Sequence, residues 1–366
     1  MSRSYRVSCI EGDGIGPEIF QSARTVLEAL SDACKISFDF VSTPAGDKAM
    51  KDFGEALPKS SFNAIRESNV CLKAPVGETA KDTIVFLRQE LDLYANIRPA
   101  KNYPFINSKF SNVDMVIVRE NTEDLYVGRE FVENDGKKAT AFKIITERAS
   151  KRIAKVAFEM ALKRRNGSNE PSVVCVQKSN VLPVTDGLFL KSCSEVARDY
   201  PNVKFSTMYV DTAAMNLVRN PESFDVMVTT NMYGDILSDE ASQVVGGLGL
   251  ASSANLSDDF ALFEPVHGCA PDIAGKGIAN PLSMMFTAKT MLEWLGTKKG
   301  DQNCTKAAKM LESAVMLVTS SGLKTPDIGG RSKTQEVTRA ISQEIMKQKS
   351  GDSDLGIMKE NVLLKW

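Results

Sequence analysis

Asp235 and Asp239 lie four residues apart in the segment Asn231-Met-Tyr-Gly-Asp-Ile-Leu-Ser-Asp239, where Gly234 suits a turn into a helix. On a helix this spacing puts two carboxylates on one face, one turn apart, so both can reach one hard divalent cation. The same pair also suits a helix start as a complement to its dipole, with Asp239 simply exposed, and spacing alone leaves both readings open. A third acid, Asp211, interrupts the apolar run Met208-Tyr-Val-Asp-Thr-Ala-Ala-Met215. A carboxylate buried there needs an ion partner, hydrogen bonds or a metal. Arg88, Arg98 and Arg119 stand in or at the ends of helical and strand-like runs. Guanidinium is suited to planar, bidentate carboxylate recognition, so three such groups fit a polycarboxylate, and surface ion pairs are the plainer alternative. Lys178 follows a strand-like run, and Tyr126 ends Arg119-Glu-Asn-Thr-Glu-Asp-Leu-Tyr126. Either becomes a proton carrier if burial or cationic neighbours lower its pKa.

The single histidine, His267, sits in Phe263-Glu-Pro-Val-His-Gly-Cys-Ala-Pro-Asp-Ile-Ala-Gly-Lys-Gly-Ile-Ala-Asn-Pro281, which holds three glycines and three prolines just before a helical pattern. Gly-rich backbone at a helix entrance can approach a nucleotide closely. With one histidine, His-based metal sites and Ser-His-Asp triads are severely limited.

The elements that must position these groups come from hydrophobic periodicity. Short apolar runs alternate with amphipathic ones, which predicts an α/β fold with parallel strands. Strands are predicted over 7–10, 69–73, 115–119, 172–177, 203–210 and 226–230, and helices over 17–31, 146–165, 187–200, 283–294, 305–319 and 334–347. Glu11-Gly-Asp-Gly-Ile-Gly-Pro-Glu18 follows a strand and opens a helix, yet its G-x-G-x-G spacing and Pro17-Glu18 do not suit a dinucleotide fingerprint. It reads as a tight strand-to-helix turn with Pro17 at the first helical position.

Bulk composition sets limits on function. The chain has 366 residues, enough for two domains, and its 45 basic against 46 acidic residues make no case for nucleic acid or an anionic membrane. No apolar run approaches the roughly 18 residues needed to span a bilayer, and the N-terminus lacks a signal-type apolar region. Seven scattered cysteines without C-x-x-C predict buried, reduced thiols in a cytoplasmic protein. Residues 350–366 look like an appended tail.

Taken together, the segments Glu11–Glu18, Leu87-Arg88, Ala95-Asn-Ile-Arg-Pro99, Val118-Arg-Glu-Asn-Thr-Glu123, Asn231–Asp239 and the His267 loop resemble the β-decarboxylating dehydrogenases, which include isopropylmalate, isocitrate, homoisocitrate and tartrate/malate dehydrogenases. The resemblance runs from about Val7 to Ile341. It implies an α/β, isopropylmalate/isocitrate dehydrogenase-like two-domain fold, not a standard Rossmann domain. Residues 1–102 with 257–366 would form the cofactor-binding domain, and 103–256 an inserted second domain. It further implies a homodimer, with dimers able to pair into tetramers, in which each subunit helps complete the other's site. Mg2+ or Mn2+ would be held by Asp235, Asp239 and Asp211 of the partner subunit. Arg88, Arg98 and Arg119 would hold the malate carboxylates. Lys178 of the partner subunit would take the hydroxyl proton and Tyr126 would protonate C3 after CO2 leaves.

The resemblance also implies a nicotinamide cofactor contacted by Asn180, Glu264, His267, Gly268, Ala270, Asp272, Ile273 and Asn280. Asp272 would accept the adenosine ribose hydroxyls and repel a 2′-phosphate, a clash of order 1 kcal/mol or more even when screened, so NAD is expected. Relatives that use NADP carry Lys-Tyr at the positions of Asp272 and Ile273. Substrate choice would be read at Ile84 and Val85 before Arg88, an aliphatic wall suited to an isopropyl group. The expected reaction is therefore NAD-dependent oxidation and decarboxylation of 3-isopropylmalate, a step of leucine biosynthesis. Homoisocitrate or isocitrate is the alternative substrate, and a silent regulatory subunit is the alternative of another class.

Overall fold

The first apolar run forms strand β1 (Ser4–Ile10), which turns through the glycine loop into helix α1 (Gly16–Cys34). Gly12 and Gly14 have φ of +67° and +58°, and Pro17 lies in the first helical turn. A Cβ on Gly12 would lie 2.0 Å from the Pro75 carbonyl oxygen, and one on Gly14 2.0 Å from the Cys269 carbonyl oxygen. The Asp13 and Ile15 N–H groups donate to these same two carbonyls, each at 2.8 Å. The loop is thus the tight strand-to-helix turn that its spacing and Pro17 had indicated, and it also packs against two other loops.

The computed structural model describes residues 3–104, 106, 108–164 and 170–351; most of the expected tail, from 352 on, lies outside them. After α1 come β2 (Ser37–Ser42), α2 (Asp47–Phe53), α3 (Lys59–Arg66) and β3 (Val70–Lys73). A π-helical turn (Lys81–Val85) runs directly into α4 (Phe86–Glu90). Strands β4 (Ala95–Lys101) and β5 (Asp114–Glu120) precede a small hairpin, β6 (Glu130–Glu133) and β7 (Lys138–Ala141). Next are α5 (Glu147–Arg164), β8 (Ser172–Gln177), α6 (Thr185–Ala197), β9 (Lys204–Tyr209), α7 (Val210–Arg219), β10 (Val226–Thr229) and α8 (Asn231–Val244). The described chain continues with β11 (Ser252–Leu256), β12 (Ala261–Pro265), α9 (Leu282–Lys298), α10 (Gln302–Ser320) and α11 (Thr334–Ser350).

Ten strands form one sheet in the order β2-β1-β3-β12-β11-β4-β5-β10-β8-β9. Its two flanks are parallel, as predicted, but the pairs β12–β11, β11–β4 and β4–β5 are antiparallel. This mixed sheet is not a Rossmann arrangement. Helices α1, α9, α10 and α11 pack together over one flank, and α5 packs on the other with α6 against it. A second core joins α7 and α8 to β5, β8 and β10, and a third gathers Ile10, Ile65, Cys71, Leu87 and Leu262. Helix α9 is buried nearly all round, and its Lys289 offsets the desolvation of Glu293 and Glu312 at 3.1 and 3.4 Å. All seven cysteines are free thiols, and all but the half-buried Cys269 are buried. Among the described residues, no helix is long and apolar enough to cross a membrane.

The glycine junction yields a stability test. Gly14→Ala combines a left-handed φ with a collision against backbone, so it is expected to cost more than about 2 kcal/mol. Gly136→Ala, at φ +88° but in open space, is expected to cost about 1 kcal/mol. Urea unfolding of both variants checks this, and equal losses would rule out the packing role of the loop.

Candidate active site

Strand register, more than any single motif, assembles the site. Asn96 on β4 is opposite both Asn255 on β11 and Arg119 on β5, and Ser253 on β11 is opposite Glu264 on β12. Opposed residues share a sheet face, and so do residues two apart on one strand. Asn255, Asn96, Arg98, Arg119 and Glu264 therefore project from one face at the antiparallel middle of the sheet. Buried Lys73, at the end of β3, reaches the same row and donates to Glu264 Oε2 at 2.8 Å.

The row is hydrogen-bonded throughout, as buried polar groups require. Arg88 is buried on α4 and reaches Asn255 Oδ1 and Glu264 Oε1, both at 3.1 Å. Asn255 Oδ1 also accepts from Asn96 Nδ2 at 2.8 Å and Asn121 Nδ2 at 2.9 Å, while its own Nδ2 donates to Glu264 Oε1 at 2.9 Å. Burial pushes the Glu264 carboxyl up, but Lys73 and Arg88 outweigh it and hold its pKa at about 2. Glu264 thus works as the counter-ion of the arginine row, and its carboxylate is fully engaged.

Helix α8 supplies the facing acids. Arg98 Nη1 is 3.1 Å from Asp235 Oδ1, 3.7 Å from Asp239 Oδ1 and 2.7 Å from Ser238 Oγ. Arg119 donates to Asp235 Oδ1 at 2.5 Å and to Asn231 Oδ1 at 2.6–2.9 Å. Its guanidinium carbon stands 4.9 Å from the Tyr126 ring centroid, a cation–π distance. Tyr126 Oη donates to Asp235 Oδ2 at 2.5 Å. Gly234 lies inside α8 rather than at a turn into it; a Cβ there would sit 2.6 Å from Arg119 Cγ, so the glycine clears the path of that side chain. Burial raises Asp235, yet Arg119, Arg98 and Tyr126 together keep it below the usual carboxylate range. Burial lifts Asp239. It also lifts Tyr126, which keeps its proton, against the expectation of a lowered pKa.

Two expected participants stand apart from this cluster. Lys178 Nζ pairs with Asp211 Oδ1 of the same chain at 2.6 Å. Asp211 is exposed, not buried, in the first turn of α7, because β9 ends at Tyr209 and the apolar run continues as a helix. Among the described residues no three His, Cys, Asp or Glu side chains converge to hold a metal. Ile84 differs from expectation as well. It shares the i, i+3, i+4 face of Leu87 and Arg88 and packs into the third core, 7% exposed. Val85 instead lines a cavity of about 510 Å3 with Lys81, Leu125, Tyr126, Met232, Asp235 and Ile236. The apolar wall therefore comes from three segments, and sequence reading missed the contributions of Leu125, Met232 and Ile236.

The His267 loop follows β12. His267 is half-buried, and burial lowers the pKa of its imidazole. Gly268 and Asp272 are exposed, and a Cβ on Gly268 would meet nothing within 4 Å. Ala270 takes a φ of +39°, Ile273 packs on the main core, and Asn280 donates to Asp327 Oδ2 at 2.9 Å. Exposed Asn180 lies on the loop after β8. The fold and these side chains can now be set beside known proteins. A model of the isocitrate/isopropylmalate dehydrogenase family matches residues 6–341. The chain belongs to this family.

Its relatives include the 3-isopropylmalate dehydrogenase of Sulfurisphaera tokodaii, 48% identical over 93% of this chain and 99% of that protein. The homoisocitrate dehydrogenase of Methanocaldococcus jannaschii is 44% identical over 94% and 99%. Among solved structures, isocitrate dehydrogenase from Methylococcus capsulatus superposes with a TM-score of 0.86 at 40% identity, covering 93% of this chain and 99% of that one. As a family member, this chain is a decarboxylating dehydrogenase. Sequence reading did not single out Lys73 or Asn255; for Lys73 the signal available was a charged residue at the end of an otherwise apolar strand.

The depressed pKa of Glu264 fixes the sign of a pH effect. Its contribution to stability is present above its ordinary value of 4.5 and disappears as pH falls toward about 2. Glu264→Gln is expected to cost about 3 kcal/mol at neutral pH, leaving Lys73 and Arg88 without their carboxylate. The gap between wild type and variant, measured by denaturant unfolding, should narrow between pH 4.5 and about 2. A gap independent of pH would refute the assignment.

Proposed function

We propose that this enzyme oxidises and decarboxylates 3-isopropylmalate with NAD and Mg2+ or Mn2+. The observation that carries the reading is the adjacency of three arginines, paired with Glu264 and Asp235, to a cavity with an apolar wall. Guanidinium groups bind the two malate carboxylates, and Val85, Leu125, Met232 and Ile236 cover the isopropyl group. Several relatives named 3-isopropylmalate dehydrogenase, at 43–49% identity, support the same substrate.

The donor chemistry fits the two expected cofactors. Asp235 and Asp239 offer carboxylate oxygens from successive turns of α8, the ligands a hard divalent cation takes. Asp272 is exposed, with no hydrogen bond or ion pair among the described residues, and so is free to accept ribose hydroxyls. His267, Gly268, Ala270, Ile273 and Asn280 complete that loop, with Asn180 on the loop after β8 as a further contact. When bound, the dinucleotide would supply a hydride acceptor for C2 and the cation a Lewis acid for the substrate oxygens. Lys178 of the partner subunit, as the free amine, takes the C2 hydroxyl proton, and Tyr126, still protonated, delivers one to C3 as CO2 departs.

The same reading divides the chain into a cofactor domain, 1–102 with 257–366, and an inserted domain, 103–256, and makes the active unit a homodimer. Exposed apolar side chains support the dimer: Val181 and Val184 near Lys178, Met215 and Val218 on α7, and Ile236 on α8. Asp211 of the partner subunit then becomes the third acid beside Asp235 and Asp239. A homoisocitrate-type acid is the second reading, because Lys81 lines the same cavity and would pair with a further carboxylate.

Two experiments test these assignments. NADH formation with Mg2+ is expected to be fastest with 3-isopropylmalate, to stop on chelation, and to favour NAD over NADP by at least about tenfold in kcat/KM, ~1.4 kcal/mol. A preference for homoisocitrate would overturn the apolar-wall argument, and no turnover with any substituted malate would indicate a silent subunit. Separately, inactive Lys178→Met and Asp235→Asn chains are to be refolded together. Sites shared across a dimer leave one intact site per mixed dimer, so activity should return to about a quarter of wild type. No recovery would mean each chain completes its own site.

A further inference from the structure

A second buried charge cluster lies between the segments that carry Tyr126, Lys178 and the α8 acids, and none of the proposed chemistry uses it. Lys143 follows β7, and its Nζ bonds Asp186 Oδ1 at 2.5 Å. Asp186 is fully buried in the first turn of α6, and its Oδ2 accepts the backbone N–H of Lys178 at 2.6 Å. Lys143 Nζ also lies 3.8 Å from Asp124 Oδ1 and 4.4 Å from the Tyr233 ring centroid. Asp124 is 1% exposed, two residues before Tyr126, and its Oδ2 accepts the Met232 N–H at the start of α8 at 3.0 Å.

One ammonium group therefore contacts the two carboxylates that fix three separate backbones. Asp186 sets the Lys178 loop, and Asp124 ties the Tyr126 turn to the first turn of α8. Asp124 also holds a φ of +69°, a conformation that a non-glycine residue adopts only when its surroundings enforce it. Its N–H donates to Ile144 O at 2.8 Å, so the residue next to Lys143 holds the same turn. Two buried carboxylates without a counter-ion are unfavourable, so they hold their places only while Lys143 sits between them.

We propose that Lys143 is a positioning residue: its ammonium registers the Lys178 loop, which each chain lends to its partner's site, against the Tyr126 turn and α8, which serve its own, so that the groups one chain contributes to the two sites of the dimer keep their places. The proposal rests on the functional reading above, since it concerns the same groups. It adds a residue that touches neither substrate nor cofactor.

The test uses the full-length enzyme and three variants. Lys143→Met keeps the length of the side chain and removes the charge. It is expected to lower kcat about 10- to 100-fold, the usual effect of losing an outer-sphere partner. KM for the dinucleotide should change less than kcat, because the His267 loop lies outside the cluster and only Asn180 shares the loosened segment. Lys143→Arg should restore most of kcat. In hydrogen exchange, Lys143→Met should lose protection together in peptides covering 123–127, 178–182 and 231–235, a readout that does not depend on activity. The double variant Lys143→Met/Asp186→Asn retains an acceptor for the Lys178 N–H and removes one uncompensated charge. It should fold well but keep the low kcat. Return of the double variant to wild-type kcat would reduce Lys143 to charge compensation and overturn the proposal. So would an unchanged kcat with unchanged exchange in Lys143→Met, or failure of Lys143→Arg to recover. A wild-type enzyme inactive on every substituted malate would sink the functional reading instead, and the exchange pattern would still decide whether Lys143 links the three segments.

Discussion

The buried carboxylate of Glu264 is the interaction on which the rest of the site depends. Three buried guanidinium groups and Lys73 cannot share the middle of one sheet without anions, because burial and mutual repulsion both oppose their charge. Burial and then Arg98 lower the pKa of Arg119, which records that opposition. Glu264 compensates Lys73 and Arg88, and Asn255 spreads the contact by accepting from Arg88, Asn96 and Asn121. Arg98 and Arg119 are compensated from the other side by Asp235. The arginine row is thus held between one acid on β12 and one on α8.

That arrangement needs the antiparallel middle of the sheet. In a wholly parallel sheet every crossover returns the chain to the same end, and functional side chains gather at strand ends. Here β11, β4 and β5 run alternately, so Asn255, Asn96 and Arg119 come side by side within the strands. Residues from distant parts of the chain meet because the register is locked by apolar neighbours such as Ile97 and Val118, which are fully buried. A slip of one residue would turn the polar row into the opposite core.

How much of this was legible in the sequence follows from the same geometry. Helices α5, α10 and α11 were predicted within a few residues, since each has one apolar face and periodicity reports it. Strands β4, β11 and β12 were not, because Asn96, Arg98, Asn255 and Glu264 interrupt their apolar pattern where they face the site. The arginines, Tyr126 and the α8 acids were legible from residue type and spacing. Lys73, Asn255 and Lys143 were not, because their roles come from contacts over long sequence separations. Ile84 was misread for a local reason: adjacent residues on a helix face different ways, and only Val85 turns to the cavity. Asp211 has the ion partner that its apolar run called for, but it is exposed, because that run crosses from the end of β9 into α7.

The charge balance that results bears on what the site can accept. Lys73, Arg88, Arg98 and Arg119 exceed Glu264, Asp235 and Asp239 by one positive charge, within a largely buried setting. Among the described residues Arg88 leaves Nη1 and Arg98 leaves Nη2 without a hydrogen bond, whereas every guanidinium nitrogen of Arg119 is committed. Donors held rigid by acids on either side, with spare N–H groups, are pre-organised for an incoming carboxylate and need no rearrangement to bind it. A neutral hydroxy compound would displace water from those donors without supplying a carboxylate acceptor, which is a stronger basis for selecting acids than net charge alone. The apolar wall next to them then discriminates among acids by the size and polarity of one substituent, a weaker filter. On the proposed function, such a site fixes the acid class firmly and the side group loosely.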